Sequence, residues 1–202
     1  MSQQSQGLRE QDVQAEPLAQ FKRWLADAAA LPLAEAAALA TADGDGRPSV
    51  RMVLVKSWDE KGFVFYTNSE SRKGGELAVN PQAALLFHWL TLGRQVRIEG
   101  SVAPVKAVES DQYFASRPRG SQLSAAASAQ SRAVAGREEL DEQVLRLERS
   151  LGGGPVPRPS WWGGYRLVPG SFEFWQHRED RLHDRIRYQR AGRGWRIERL
   201  QP

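Results

Sequence analysis

Between residues 181 and 188 basic and apolar side chains alternate with the period of a strand. Arg181, His183, Arg185 and Arg187 fall on one face, and Leu182, Ile186 and Tyr188 fall on the other with Asp184. A row of cations repels itself unless an anion lies against it or water solvates it as the outer face of an antiparallel sheet. The spacing permits both. Three further groups raise the same question. Arg51 and Lys56 bracket the apolar run Met52, Val53, Leu54 and Val55, where an unpaired charge is costly unless it snorkels to water. Strict alternation sends the two cations to opposite faces, so one ligand touching both requires a bulge, or a second ligand beside the first. Ser71 caps an expected helix over 71–80 whose first turn carries Arg72 and Lys73, the wrong sign for the helix dipole. An anion held by that helix N-terminus resolves the conflict, although an exposed pair costs a helix only a few tenths of a kcal/mol, roughly. Tyr113 and Arg117 stand four apart on one helix face, with Pro118 ending the helix and Ser121 just beyond. A phenol, a guanidinium and a hydroxyl so placed can clamp a phosphate, though Tyr and Arg at this spacing also occur as plain surface pairs.

Composition narrows the partners. The 202 residues carry a net charge of +4 and no cysteine, which excludes disulfides, thiolate metal sites and thiol nucleophiles. With three histidines and no cysteine, a zinc pattern is absent and no metal site is expected. The basic balance favours anionic partners. No basic helix or aromatic RNA-binding signature is present, so phosphorylated small molecules are expected rather than nucleic acid. Residues 1–16 read as a disordered arm with no signal-peptide core. The alanine-rich run 28–40 is broken by Pro32 and Glu35, so no membrane span is expected and a cytoplasmic location is.

The elements that must position these groups read mainly as strands. A helix is expected over 17–30. Strands follow at 36–41 and 49–57 around Asp43-Gly44-Asp45-Gly46, then at 63–67, 83–90 and 94–105. Helices are expected over 105–116 and 137–151, with the small, polar stretch 121–132 between them. Four last strands are expected at 165–168, 172–175, 181–190 and 195–200. The Gly- and Pro-rich segment 152–159 resembles a linker, but the roughly forty residues after it are too few for a core of their own. Residues 17–202 therefore form one domain of the α+β class, mainly β.

In sum these stretches resemble the pyridoxamine 5′-phosphate oxidases. The resemblance rests on Arg-Met-Val-Leu-Val-Lys at 51–56, Tyr-Thr-Asn at 66–68, Ser-Arg-Lys at 71–73 and Arg-Gln-Val-Arg-Ile-Glu-Gly at 94–100. Further matches are Tyr-Phe-Ala-Ser-Arg-Pro at 113–118, Ser-Gln at 121–122, Trp-Gly-Gly-Tyr-Arg at 162–166, Phe-Trp-Gln at 174–176, Arg-Leu-His-Asp-Arg at 181–185 and Glu-Arg-Leu-Gln-Pro at 198–202. It implies an FMN-binding split β-barrel with flanking helices, dimeric, with FMN at the interface of a homodimer. The implied FMN contacts are Arg51, Met52, Val53, Leu54, Val55, Lys56, Tyr66, Thr67, Arg72, Lys73, Gln95, Gln130, Ser131, Trp175 and Arg185. Lys56, Tyr113, Arg117 and Ser121 would hold the substrate phosphate, and Arg181 and His183 would lie over the substrate ring as the catalytic pair. The implied reaction moves a hydride from C4′ of pyridoxamine or pyridoxine 5′-phosphate to the flavin, which dioxygen reoxidises with release of hydrogen peroxide. The chain departs from the family at Ser124, where glycine is usual, and in an arm without an Arg-x-x-Tyr pattern. Two other readings exist: a dihydrophenazine-type oxidase on the same fold, and a non-enzymatic binder of flavin, pyridoxal phosphate or nucleic acid. Tyr113, Arg117 and Ser121 together favour the phosphorylated substrate.

Overall fold

The structure is a computed structural model that describes residues 7–202. Among the described residues six antiparallel strands close a ring in the order β1-β2-β3-β6-β5-β4, flanked by five α-helices, so the expected split barrel is found. The strands are β1 (Ala36–Ala42), β2 (Pro48–Asp59), β3 (Gly62–Asn68), β4 (Gln82–Trp89), β5 (Arg94–Pro104) and β6 (Trp162–Gln176). The hairpin between β1 and β2 is set by Asp43, whose Oδ1 accepts from the backbone N–H of Asp45 and of Arg47.

The split lies in β6. Along one edge it pairs with β5 throughout, while along the other residues 162–167 pair with β3 and residues 171–176 pair with β7 (Asp184–Ala191). β8 (Gly194–Arg199) then pairs with β7. The sequence suggested two strands at 165–168 and 172–175, with a break at Pro169-Gly170 between them. It is instead a register shift within one strand, opposite Gly100, where a Cβ would lie 2.0 Å from the Val168 carbonyl.

Proline at its first position and apolar residues at three- and four-residue steps make α1 (Pro17–Asp27) a helix that plugs one barrel end. Fully buried Phe21 packs edge-on against Phe63 at 4.9 Å and Phe87 at 5.0 Å. α2 (Arg72–Val79) starts at Ser71, whose Oγ accepts from the Gly74 N–H. α3 (Ala107–Ser116) and α4 (Arg119–Ala127) meet at Pro118, and α5 (Arg137–Leu151) packs on α4. Helix α4 falls where only a small, polar stretch was legible, because its serines mask the buried Leu123. Ser124, at the usual glycine position, fits this helix by donating to the Gly120 carbonyl at 2.8 Å.

Two further expectations are corrected. The arm was read as disordered over 1–16, of which residues 1–6 lie outside the described residues. Residues 8–14 pack on β7 and β8: Leu8 is buried, its N–H donates to Asp184, Arg199 pairs with Glu10, and the Tyr188 hydroxyl donates to the Gln14 carbonyl. Second, the strand expected from residue 181 begins at Asp184. Glu179–Arg181 form a 3-10 turn in which Asp180 and Arg181 have φ of 55° and 60°, left-handed values that cost non-glycine residues energy. Asp184 fixes the strand start through Leu8 and Arg199, so Arg181 and His183 do not continue the face of Arg185 and Arg187. Among the described residues no helix is long and apolar enough to cross a membrane.

Candidate ligand-binding cavity

Beside β2 a cavity of about 730 Å³ is lined by Arg51, Lys56, Arg72, Lys73 and Arg117, and by no carboxylate. Strand β2 supplies one wall. Its ladder with β3 shifts register between Val55 and Ser57, at Lys56. Arg51 and Lys56 both line the cavity although strict alternation would separate them, because it takes side chains of both parities along the strand, Val50 and Leu54 as well as Val53. Met52, Val53 and Leu54 line it as well. Val50 and Met52 are 68% and 65% exposed, an apolar stripe that one chain leaves open to solvent. Val55 is fully buried in the barrel core.

A second wall comes from β3 and the start of α2. Lys73 is buried to 8% exposure, and among the described residues its ammonium donates only to neutral oxygens: Thr67 Oγ1 at 3.0 Å, Gln130 Oε1 at 3.1 Å and Ser71 Oγ at 3.4 Å. Burial, and then the neighbouring Arg51 charge, hold its pKa below the ordinary lysine range, with Glu76 opposing in part. Gln130 accepts from both Thr67 and Lys73, and Ser131 follows it on the cavity rim.

The third wall is aromatic. Tyr66, Tyr113 and Trp162 stack with interplanar angles of 21° and 12° about Tyr66, and the Arg117 guanidinium lies 4.8 Å from the Trp162 ring centroid. Arg117 Nη1 is buried with no hydrogen-bond partner among the described residues, and burial lowers the pKa of the group. Burial likewise raises that of Tyr66. Ser121 lies on α4 and does not line the cavity, whereas Ser124, Ala125 and Ser128 do.

The remaining predicted residues form a separate cluster. Gln95, Trp175 and Arg185 are register partners across β5, β6 and β7, one row on one sheet face. Glu173, beside Trp175, pairs with Arg185 at 2.8 Å and Arg97 at 2.6 Å. His183 sits 4.6 Å from Trp175 between ring centroids, and its Nδ1 accepts from the Arg178 N–H at 3.2 Å. In the neutral ring the proton is therefore on Nε2, which makes that nitrogen a donor. Arg181, in the adjoining turn, is exposed. None of these five residues lines the cavity of the same chain.

Sequence reasoning overlooked Ser49, Asn68 and Trp162 in the lining, and Glu76 behind it. Asn68 and Trp162, each inside a quoted motif, and Glu76, one helical turn after Arg72, carried a signal. Buried Lys73 and half-buried Arg117, neither with a carboxylate at ion-pair distance among the described residues, fit a ligand set bearing anionic groups near α2 and near the α3–α4 junction. No group of three or more His, Asp or Glu residues that could hold a metal was found among the described residues.

Comparison with known proteins agrees with this chemistry. Residues 26–148 match the family described as pyridoxamine 5′-phosphate oxidase, and residues 162–202 match the pyridoxine 5′-phosphate oxidase C-terminal dimerisation region. A pyridoxine/pyridoxamine 5′-phosphate oxidase of Cupriavidus taiwanensis is 56% identical over 198 residues, covering 96% of this chain and 93% of the relative. The crystal structure of PhzG from Burkholderia lata, in complex with tetrahydrophenazine-1-carboxylic acid, superposes with a TM-score of 0.90 at 39% identity, covering 96% of this chain and 98% of that one. A pyridoxamine 5′-phosphate oxidase-related, FMN-binding protein of Nostoc punctiforme shares the fold, with a TM-score of 0.73 at 16% identity over 98% of this chain and all of its own. On the motifs, the barrel, the cationic cavity and these matches, the chain belongs to the pyridoxamine 5′-phosphate oxidase family of oxidoreductases.

Proposed function

We propose that this chain binds FMN and, as a homodimer, oxidises pyridoxine and pyridoxamine 5′-phosphates to pyridoxal 5′-phosphate with dioxygen as acceptor. The observation that carries the reading is the pair of desolvated cations Lys73 and Arg117, held ready in one cavity with no anionic partner of their own among the described residues. Arg51, Arg72 and Lys73, with Thr67, Gln130 and Ser131, would hold the cofactor phosphate. Arg117, with Tyr113 and Lys56, would hold the substrate phosphate. Bound there, FMN supplies hydride acceptance from C4′ and the transfer of that electron pair to dioxygen, giving hydrogen peroxide. The residues themselves bind and orient. Two phosphate anchors fix the two rings against each other, which converts binding energy into alignment.

A single chain leaves this site incomplete, since Gln95, Trp175, Arg181, His183 and Arg185 stand outside its cavity. The exposed apolar stripe on β2 and the match of residues 162–202 to a dimerisation region support delivery of that cluster by a second copy. With Nδ1 engaged by Arg178, neutral His183 would donate from Nε2 to the substrate instead of taking its proton. His183→Ala should then retain flavin and lose roughly tenfold in turnover, the size of one hydrogen bond, with an unchanged pH profile. A general base would cost about 100-fold or more and would remove a limb of the profile.

The reading is tested by oxygen uptake with pyridoxine and pyridoxamine 5′-phosphates, each against its unphosphorylated form. The purified protein should be yellow, and pyridoxine 5′-phosphate should bleach it without air. Equal rates with and without the phosphate, or turnover only of a larger aromatic acid such as a reduced phenazine, would overturn the substrate assignment. Protein that takes up no FMN would overturn the cofactor.

A further inference from the structure

The cations of the cavity are not independent. Behind them Glu76 of α2 is 5% exposed and joins four side chains from three elements. Its Oε2 accepts from Thr41 Oγ1 at 2.5 Å, Ser49 Oγ at 2.6 Å and Arg51 Nη2 at 3.1 Å, while its Oε1 accepts from Arg72 Nε at 2.9 Å. Burial alone would push this carboxyl up, but the hydrogen bonds from Ser49, Thr41, Arg72 and Arg51 outweigh it and bring the pKa to about 2. It therefore stays ionised wherever the protein is folded and working. Arg51 is further fixed by the Leu39 carbonyl at 3.2 Å and by the hydroxyls of Thr41 and Ser49. Arg72, whose side chain is 63% exposed, makes no other hydrogen bond among the described residues, so Glu76 is what holds it.

We infer that Glu76 is a positioning residue for the cofactor phosphate. It orders two guanidinium groups on different elements and leaves the terminal nitrogens of Arg72 to the cavity. The inference rests on the FMN reading above. Its physical basis is entropic, because a long arginine side chain loses rotamer freedom when it is ordered, and an order imposed before binding is not charged to the ligand. A competing effect has the opposite sign. A carboxylate behind an anion site repels the anion, so if charge dominated, neutralising Glu76 would tighten phosphate binding.

Two conservative variants separate position from charge. Glu76→Gln keeps an acceptor at the same reach for Arg72, the Ser49 and Thr41 hydroxyls can turn to accept from the new amide, and Arg51 keeps the Leu39 carbonyl and those two hydroxyls. Glu76→Asp keeps the charge but withdraws it by one methylene. FMN and riboflavin are titrated into apoprotein by flavin fluorescence, with thermal unfolding of each apoprotein as the check on folding. The expected result for Glu76→Asp is FMN bound about tenfold more weakly with riboflavin affinity unchanged, because only the phosphate reads the two arginines. Glu76→Gln should stay within about threefold of wild type for both. The inference is overturned if Glu76→Gln binds FMN more tightly than wild type, if Glu76→Asp matches wild type, or if either variant weakens FMN and riboflavin alike. Wild-type protein that binds no FMN would sink the cofactor reading first, whereas wild type that binds FMN beside an unaffected Glu76→Asp sinks this inference alone.

Discussion

Lys73→Met protein should purify colourless, with FMN affinity lowered about 100-fold, the worth of a charge-assisted hydrogen bond in a buried site. The same substitution should leave the apoprotein as stable as wild type or more so. Burial lowers the pKa of Lys73, which means that the fold disfavours its charged form, and methionine fills a similar volume without that cost. Opposite movement of stability and flavin affinity marks a residue kept for a ligand and not for the fold. Working the sign through, the ammonium deprotonates at lower pH than a free lysine, so FMN affinity should fall as the pH rises toward the lysine range. Flavin titration at several pH values, together with thermal unfolding of the apoprotein, checks both. Retained colour in Lys73→Met would place the cofactor phosphate elsewhere.

Arg117→Met should lose about 1000-fold in kcat/KM for pyridoxine 5′-phosphate, since truncating one partner of a buried, hydrogen-bonded charge pair costs about 2–5 kcal/mol. The loss should fall mainly on KM. Flavin affinity should hold, because Arg117 belongs to the α3–α4 junction and not to α2. Activity toward unphosphorylated pyridoxine should change little, because that substrate has no group for the guanidinium to meet. Stacking on Trp162 and the orphaned Nη1 explain why this arginine is ready before substrate arrives: its plane is fixed and one edge is unspent. Steady-state oxygen uptake with both substrates decides the matter, and an equal loss for both would mean that Arg117 supports the fold and not the phosphate.

Much of the secondary structure was legible because its signals are local. The Asp43-Gly44-Asp45-Gly46 turn, the period of α1 and the Ser71 cap each act within a few residues, and each element stands close to where the pattern puts it. The errors fall where a distant residue decides. The strands expected at 165–168 and 172–175 are one, because Gly100 on the neighbouring strand leaves room for the backbone to shift at Pro169-Gly170 and continue. The alternation at 181–188 reads as one strand, but Asp184 is claimed by Leu8 and Arg199 from opposite ends of the chain, and the strand starts there. The arm looked solvated because its polar residues outnumber the single leucine that anchors it.

The cavity divides in the same way. The sequence by itself determined which side chains carry charge and aromatic surface, and that Arg51, Arg72, Lys73 and Arg117 each need an anion or water. Period and propensity fix those facts over short spans. Only the tertiary structure decided that one cavity gathers two cations whose spacing sets them on opposite strand faces, and that Glu76 ties β2 to α2. It also decided that Lys73 and Arg117 are the desolvated members of the set. Burial and pairing are properties of the closed barrel, made by contacts between residues dozens of positions apart, and no local pattern encodes how much water each charge loses when the ring of strands shuts.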